Sequence, residues 1–269
     1  MNRIEGRYIS LLTDFGFKRI FGTKPNKDLL INFLNSLFEG FQVIKDVKYL
    51  NSEHVGDVFA ERKPIFDVYC ENEKGEKFIV EMQNASIFPI REQAPKGADW
   101  NFKLERVYTV ALLNFDLKEE AFDQDDINHD VGLLDKKTHK VFNDKLSFKY
   151  VEIAKFDKTE DELVTLYDKW LYVLKNLSRL DERPAALKEK VFTKLFEEAE
   201  IAKFTPTELK EYEDSLKAYR DVKNSIDTAL EKGREEKAIQ IAKKMLAAGM
   251  DIDTIINMTD LSKDEIEKL

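Results

Sequence analysis

Three side chains suited to metal chemistry lie on two neighbouring segments predicted to be β-strands. Asp67 belongs to residues 65–70, and Glu81 and Gln83 belong to residues 77–83. Apolar residues alternate along both segments, and successive side chains of a strand point to opposite faces. If the apolar faces coincide, the two carboxylates and the amide converge on the other face. Neighbouring carboxylates repel unless a cation lies between them, and magnesium bound by carboxylates, waters and phosphate oxygens fits this arrangement.

A shared face for Asp67 and Glu81 depends on the turn between the strands. Paired residue numbers in an antiparallel hairpin sum to a constant, and a common face requires that this constant be even. An odd-numbered loop or a bulge meets the requirement, and Lys74-Gly75-Glu76 is the best candidate because Gly75 can adopt a positive φ. A two-residue turn without a bulge would separate the carboxylates. Charged residues on the solvent face of an amphipathic hairpin, with no site, are the alternative interpretation.

The composition indicates a folded, acidic protein. The chain has 269 residues, of which 43% are hydrophobic, and its formal net charge is -9. It contains no apolar run of about 18 residues and no secretory signal at its N-terminus, so we expect no membrane span. The single cysteine, Cys70, excludes an intramolecular disulfide and is typical of a reducing cytoplasm. Because the overall charge repels nucleic acid, any DNA contact requires a local basic surface.

Several common site types have no signature in this chain. The three histidines do not have zinc-ligand spacing, so a structural zinc site is not expected. The glycine-rich motifs of P-loop and dinucleotide-binding proteins are missing, and so is the nucleophile elbow of the hydrolases. We therefore expect no nucleotide or flavin cofactor.

The periodicity of the sequence changes along the chain. Residues 28–38 predict an amphipathic helix, residues 102–115 a buried strand, residues 118–135 an acid-rich loop and residues 141–156 a strand or hairpin. Beyond about residue 160 helical spacing takes over. Thr205 and Ser262 are predicted N-caps, and residues 235–248 predict a separate helix that ends at Gly249. The predicted fold class is α/β or α+β, a mixed sheet flanked by helices, with domains at 1–160, 161–232 (a helical extension) and 233–269 (a small helical module).

Several motifs resemble a known nuclease family. Pro64-x-x-Asp67, followed across the hairpin by Glu81-x-Gln83, resembles the PD-(D/E)XK nuclease core, in which the commonest form has Lys at the position of Gln83. Longer segments are similar to the recombination-promoting nuclease (Rpn) / putative transposase family: TDFGFKRIFG (13–22), FDVYCENEKGEKFIVEMQNA (66–85), FPIREQA (88–94), VYTVALLNF (107–115) and the C-terminal IAKKMLAAGMDIDTIINMTDLSKDEIEKL. The chain departs from its relatives after Ala85, where about a dozen basic and aromatic residues are missing.

The resemblance implies a Mg²⁺- or Mn²⁺-dependent DNA endonuclease that hydrolyses phosphodiester bonds, acts in the manner of a transposase and promotes recombination. Asp67 and Glu81 are the implied metal ligands, and Gln83 takes the place of the usual catalytic Lys. Asp14 matches an acidic residue that the family supplies from its first helix, although capping of a helix that begins at Phe15 is an equal alternative.

The remaining candidates are weaker. Lys18, Arg19 and Arg91 are candidate contacts to DNA phosphates, although exposed basic residues are also ordinary surface. His129 beside Asp130 is interpreted as part of the acidic loop without function. The C-terminal module is a candidate docking or homodimerisation element. The main functional alternative is a catalytically weak or inactive interaction protein on the same fold.

Overall fold

The computed structural model describes residues 6–50, 68–82, 105–117 and 122–269. The chain forms two compact units, Met1–Leu216 and Lys217–Leu269. None of the helices in the described part of the chain is long and apolar enough to cross a membrane. The predicted division into three domains stays a prediction.

A six-stranded mixed sheet forms the centre of the first unit. In the described residues its strands are β1 (Val47–Tyr49), β2 (Val68–Asn72), β3 (Lys77–Met82), β4 (Val107–Leu113), β5 (Asn128–Leu134) and β6 (Val141–Glu152). Their spatial order is β1-β2-β3-β4-β6-β5. β3, β4 and β6 run parallel, whereas β1–β2, β2–β3 and β5–β6 are antiparallel. The carboxyl ends of β3, β4 and β6 therefore meet at one edge of the sheet.

Most of the described residues outside the sheet form helices. They are α1 (Asp14–Phe21), α2 (Lys27–Leu37), α3 (Leu166–Asn176), α4 (Lys190–Ala199), α5 (Pro206–Ala247), α6 (Ile252–Thr259) and α7 (Lys263–Ile266). Of these, α1–α4 belong wholly to the first unit and pack in its core. Beyond β6 the described residues form no strand apart from an isolated bridge between Tyr8 and Glu200. The predicted fold class, a mixed sheet with flanking helices followed by a helical C-terminal region, is confirmed.

The two faces of the sheet bury different amounts of apolar surface. Val68, Cys70, Phe78, Val80 and Met82 join the main core, where α1–α4 pack. The opposite face, here called the second face, carries a much smaller cluster that contains Tyr69, Ile79, Val107 and Leu146. The alternation in β2 and β3 thus assigns side chains to faces as predicted. Cys70 and Trp170 are fully buried, which agrees with their predicted packing roles.

Two predicted elements are wrong in extent. The acid-rich stretch expected to be a loop contains β5, because Asn128–Leu134 pairs along β6. The helix expected at 235–248 is instead the end of α5, a continuous helix of 42 residues. Gly233 lies inside α5 on an open surface, and the helix continues through it. A helical ion pair, Lys223 to Asp227 at 2.8 Å, supports the exposed middle of α5.

The second unit has a small core of its own. Its buried residues are Ala242 from α5, Ile255 from α6, and Leu261 and Ile266 around α7. Ser262 caps α7 as predicted: its hydroxyl accepts from the Glu265 N–H, and the Glu265 carboxylate accepts from the Ser262 N–H in return.

Candidate functional site

The β2–β3 hairpin has the register that a shared carboxylate face requires. Val68 pairs with Val80 and Tyr69 with Ile79, so paired residue numbers sum to the even value 148. The loop has an odd number of residues, as predicted, but it starts one residue earlier than expected. Asn72 is paired with Glu76, because the Asn72 N–H donates to the Glu76 carbonyl at 2.9 Å. The loop is therefore residues 73–75, not 74–76.

The side chain of Asn72 explains this shift. Its Oδ1 accepts hydrogen bonds from the N–H groups of Lys74 and Glu76 at 3.0 and 2.9 Å. These two bonds stabilise a three-residue loop that begins directly after Asn72. Gly75 has φ +79°, a left-handed conformation that side-chain-bearing residues adopt at a cost. Asn72 and Gly75 together set the register of the hairpin.

Glu81 lies near the carboxyl end of β3 on the second face of the sheet. It shares this face with Ile79, while Val80 and Met82 point into the main core. Only 7% of Glu81 is exposed, although it is a carboxylate. It stands opposite Ala111 of β4, which is itself buried. A carboxylate at this depth needs compensating partners, since burial penalises the charged form.

Three predicted site residues, Asp67, Gln83 and Arg91, lie outside the described residues. Their roles stay predictions. Among the described residues no group of three or more His, Cys, Asp or Glu side chains is arranged to hold a metal ion. Because Asp67 is not among these residues, this finding does not test the predicted pair.

Asp14 begins α1 but does not cap it. The N-cap is Thr13, whose hydroxyl accepts from the Gly16 N–H, so the capping alternative for Asp14 is wrong. The Asp14 carboxylate is 61% exposed and forms an i,i+4 ion pair with Lys18 at 2.6 Å. At the first turn of α1 its negative charge interacts favourably with the helix dipole. Its predicted catalytic role, and the DNA contact of Lys18, stay predictions.

Arg19 connects α1 with later parts of the first unit. Its Nε donates to the Glu198 carbonyl at 3.0 Å, and its Nη1 pairs with Glu208 at the start of α5. Its guanidinium lies 4.2 Å from the centre of the Phe204 ring. With the Thr205 N–H, the Arg19 guanidinium lowers the pKa of Glu208 to about 2. These contacts give Arg19 a structural role, and its predicted DNA contact stays a prediction.

A buried polar cluster that the sequence did not predict lies at the same edge of the sheet. Glu152, at the end of β6, is fully buried. One of its oxygens meets His129 Nε2 at 2.7 Å and Lys155 Nζ at 2.8 Å, and the other accepts from the Leu117 N–H. Phe122 stacks on the His129 ring with centroids 4.3 Å apart. We call Glu152, His129 and Lys155 the Glu152 cluster.

The cluster shares the second face with Glu81. A row of cross-strand neighbours runs from Glu81 through Ala111 and Tyr150 to His129. Glu152 follows Tyr150 by two residues and therefore points to the same side. The interpretation of His129 as a loop residue is wrong, because β5 places it opposite Tyr150 and against Glu152. The available signal was a Glu that ends an alternating strand directly after Val151.

Opposing effects act on the ionisation of Glu152. Burial alone would raise the pKa of its carboxyl, but hydrogen bonds from Lys155, His129 and the Leu117 N–H outweigh burial and lower that pKa. Elsewhere in the sheet, burial raises the pKa of the Cys70 thiol to about 12, which fits an unreactive core residue.

Comparison with known protein families extends over nearly the whole chain. A family model described as PD-(D/E)XK nuclease family transposase matches residues 11–229. A second, described as Rpn/YhgA-like nuclease family, C-terminal HTH domain, matches residues 235–269. No curated protein and no solved structure matches the chain. The resemblance noted from the motifs is confirmed, and its first match spans the sheet, Glu81 and the Glu152 cluster.

Proposed function

The chain belongs to the PD-(D/E)XK nuclease family transposases, and we propose that it is a metal-dependent DNA endonuclease that hydrolyses phosphodiester bonds and promotes recombination. The match to an Rpn/YhgA-like C-terminal HTH domain supports DNA as its partner. Asp67 and Glu81 are the proposed metal ligands, and Gln83 is the proposed neighbour of the reacting phosphate.

The observation that carries this proposal is the register of β2 and β3. Val68 is opposite Val80, so a pairing continued by one residue would set residue 67 directly opposite Glu81. Directly opposite residues have Cβ atoms about 4.5–5.5 Å apart, a separation at which two carboxylates can share one cation. Glu81 lies on the face with the smaller apolar cluster, so its carboxylate does not point into the main core.

The donor set fits a hard divalent cation. Carboxylate oxygens are the ligands that Mg²⁺ and Mn²⁺ prefer, and Glu152, another acidic residue at this edge, is already bound by protein donors. When bound, such an ion would polarise a phosphoryl oxygen and lower the pKa of a coordinated water.

The protein groups would divide the remaining work. The carboxylates of Asp67 and Glu81 would hold the cation at a fixed position on the sheet and would offset its charge in part. The amide of Gln83 would orient a water molecule by hydrogen bonding, but it brings no positive charge. We therefore expect slower hydrolysis than a Lys at this position would support.

A plasmid-cleavage assay tests the proposal. Wild-type protein should nick or cut supercoiled DNA in Mg²⁺ or Mn²⁺ but not in EDTA, and Asp67→Ala or Glu81→Ala should abolish cleavage. Glu71→Ala is the matched control, because Glu71 is a carboxylate on the same hairpin that pairs with Lys77 at 3.6 Å, near the turn. Equal cleavage by wild type and Asp67→Ala would identify a contaminant and favour the non-catalytic interaction protein.

A further inference from the structure

A small basic cavity lies just beyond the carboxyl end of β6. It has a volume of about 260 Å³, and its lining includes Lys158, Lys175 and Arg179 but a single carboxylate, Asp157. The chain as a whole carries a net charge of -9, so three cations around one cavity are unusual for this protein. Lys158 is balanced by Asp168 at 2.7 Å, so Lys175, Arg179 and Asp157 define the charge of the cavity, with one cation in excess.

Lys175 is a cation held in place by neutral groups. Its Nζ donates to the carbonyls of Ala154 and Phe156 at 2.8 and 2.6 Å, in and just after the short 3-10 helix that follows β6. No carboxylate among the described residues forms a salt bridge with it. An ammonium group has three donors, so one remains for a further acceptor. The charge is thus positioned but not neutralised.

Arg179 adds a second cation on the same side. Tyr172, Lys175 and Arg179 follow one another at the spacing i, i+3 and i+7, which places them on one face of α3 and the short 3-10 helix after it. Arg179 is exposed, and within the described ranges its side chain has no hydrogen bond or ion pair. Guanidinium is the cation best suited to bind two oxygens of a phosphate at once.

We infer that this cavity binds a phosphate group of the DNA backbone, through Lys175 and Arg179. The cavity adjoins the segment that leaves β6 at the edge where β3 also ends, and β4 alone separates these two strands. Helix α3, which lines the cavity, packs on the main-core face of the sheet, whereas Glu81 lies on the second face, so the cavity and the proposed metal site approach this edge from opposite faces. The place of the contact relative to the cut rests on the proposed function, whereas phosphate binding by the cavity does not.

Binding without cleavage tests the inference. Fluorescence anisotropy of a labelled duplex in EDTA, over a series of salt concentrations, compares wild type with Arg179→Gln. Lys175 also holds two main-chain carbonyls, so Arg179 is the cleaner position. We expect about a three- to tenfold weaker Kd and a salt dependence reduced by about one phosphate contact. Lys188→Gln is the matched control, since Lys188 is also an exposed cation of the first unit and lies outside the cavity lining.

Two small phosphate compounds distinguish DNA from free phosphate as the ligand. Inorganic phosphate and deoxyadenosine monophosphate are each tested for direct binding to the protein and for competition with the labelled duplex. If Arg179→Gln, with an unchanged Tm, binds the duplex like wild type, the inference is overturned. It is also overturned if the change removes binding of inorganic phosphate but leaves binding of the duplex unchanged, because the cavity would then take free phosphate and not the DNA backbone. Weakened duplex binding by Arg179→Gln supports the inference even if no metal supports cleavage, so its outcome is separate from that of the proposed nuclease.

Discussion

Two buried glutamates lie at one edge of the sheet, and we assign them different roles. Glu81 lies one residue before the end of β3 and Glu152 ends β6, and both point to the second face. Glu152 is fully surrounded by donors from three elements: Lys155, His129 and the Leu117 N–H. Glu81 is instead the proposed partner of Asp67 in a metal site, and the β2–β3 register has the even sum that this proposal requires.

The difference shows that burial of an acidic residue does not by itself indicate a catalytic site. At Glu152 protein donors account for the burial, and they fasten the chain after β4 to β5 and β6. A group that stabilises its surroundings in this way should affect folding when it is changed. A metal ligand should affect activity and leave folding nearly unchanged, because removal of one of two like charges relieves repulsion.

The largest expected effect is on cleavage by Glu81→Gln. This change keeps the shape of the side chain but removes its charge, and we expect at least about a 100-fold loss of cleavage rate, since even partners outside a metal's ligand shell contribute 10–100-fold. Its Tm should stay close to that of wild type. Rates on supercoiled plasmid and thermal unfolding by circular dichroism measure the two quantities. A large drop in Tm would place Glu81 in the same structural class as Glu152.

The next effect concerns stability in Glu152→Ala. It leaves His129 and Lys155 without their buried acceptor, and loss of one member of a buried ion pair typically costs about 3–5 kcal/mol. Urea unfolding of wild type and variant gives the free energy of unfolding directly.

The matched control for this measurement is Glu71→Ala. Glu71 has a side chain that is 34% exposed and pairs with Lys77 at 3.6 Å, so its removal should cost less than about 1 kcal/mol. Equal losses in Glu152→Ala and Glu71→Ala would contradict the structural role of the Glu152 cluster.

The sequence alone predicts one of these glutamates and misses the other, for physical reasons. Glu81 lies in a segment with strict alternation, and Asp67 and Glu81 are close along the chain, so local rules of strand geometry relate them. Glu152 and His129 are 23 residues apart. Their contact depends on the β5–β6 register, which shifts at Gly132/Leu133 and Leu133/Leu134. Alternation cannot locate such irregularities, and the acidic residues before β5 obscure the strand.

Local side-chain chemistry explains two smaller differences. The hairpin loop lies one residue earlier than predicted because Asn72 accepts hydrogen bonds from two main-chain N–H groups of the loop. The requirement that paired residue numbers have an even sum is met by a loop at 73–75 and equally by one at 74–76, so it does not select between them. The continuous α5 was missed because residues 220–237 have no buried side chain among those described, and so give no apolar period to follow. The elements that bury a regular face, such as α2 and β3, were predicted correctly.

A smaller effect is expected from His129→Leu. The change keeps an apolar contact for Phe122 but removes one donor to Glu152, so we expect a loss of about 1–3 kcal/mol. A double-mutant cycle with Glu152→Gln isolates the coupling between the two side chains, which should exceed about 0.5 kcal/mol because they are in direct contact. Additive effects would show that the two residues act separately.

The smallest expected effect is a change in how the free energy of unfolding depends on pH. The folded pKa of Glu152 is below its ordinary value of 4.5, since the hydrogen bonds from Lys155, His129 and Leu117 outweigh burial. A carboxyl whose pKa is lowered by folding binds fewer protons in the folded state than in the unfolded state. Its contribution is therefore complete above about pH 4.5 and is lost as the pH falls through the folded pKa.

Glu152→Gln removes this contribution, so its stability should fall less steeply than that of wild type below pH 4.5. Urea unfolding at intervals from pH 7 to pH 3 measures both slopes, with Glu71→Gln as the control. Identical slopes for wild type and Glu152→Gln would mean that the cluster does not favour the charged carboxylate, and the contrast between the two glutamates would then rest on packing alone.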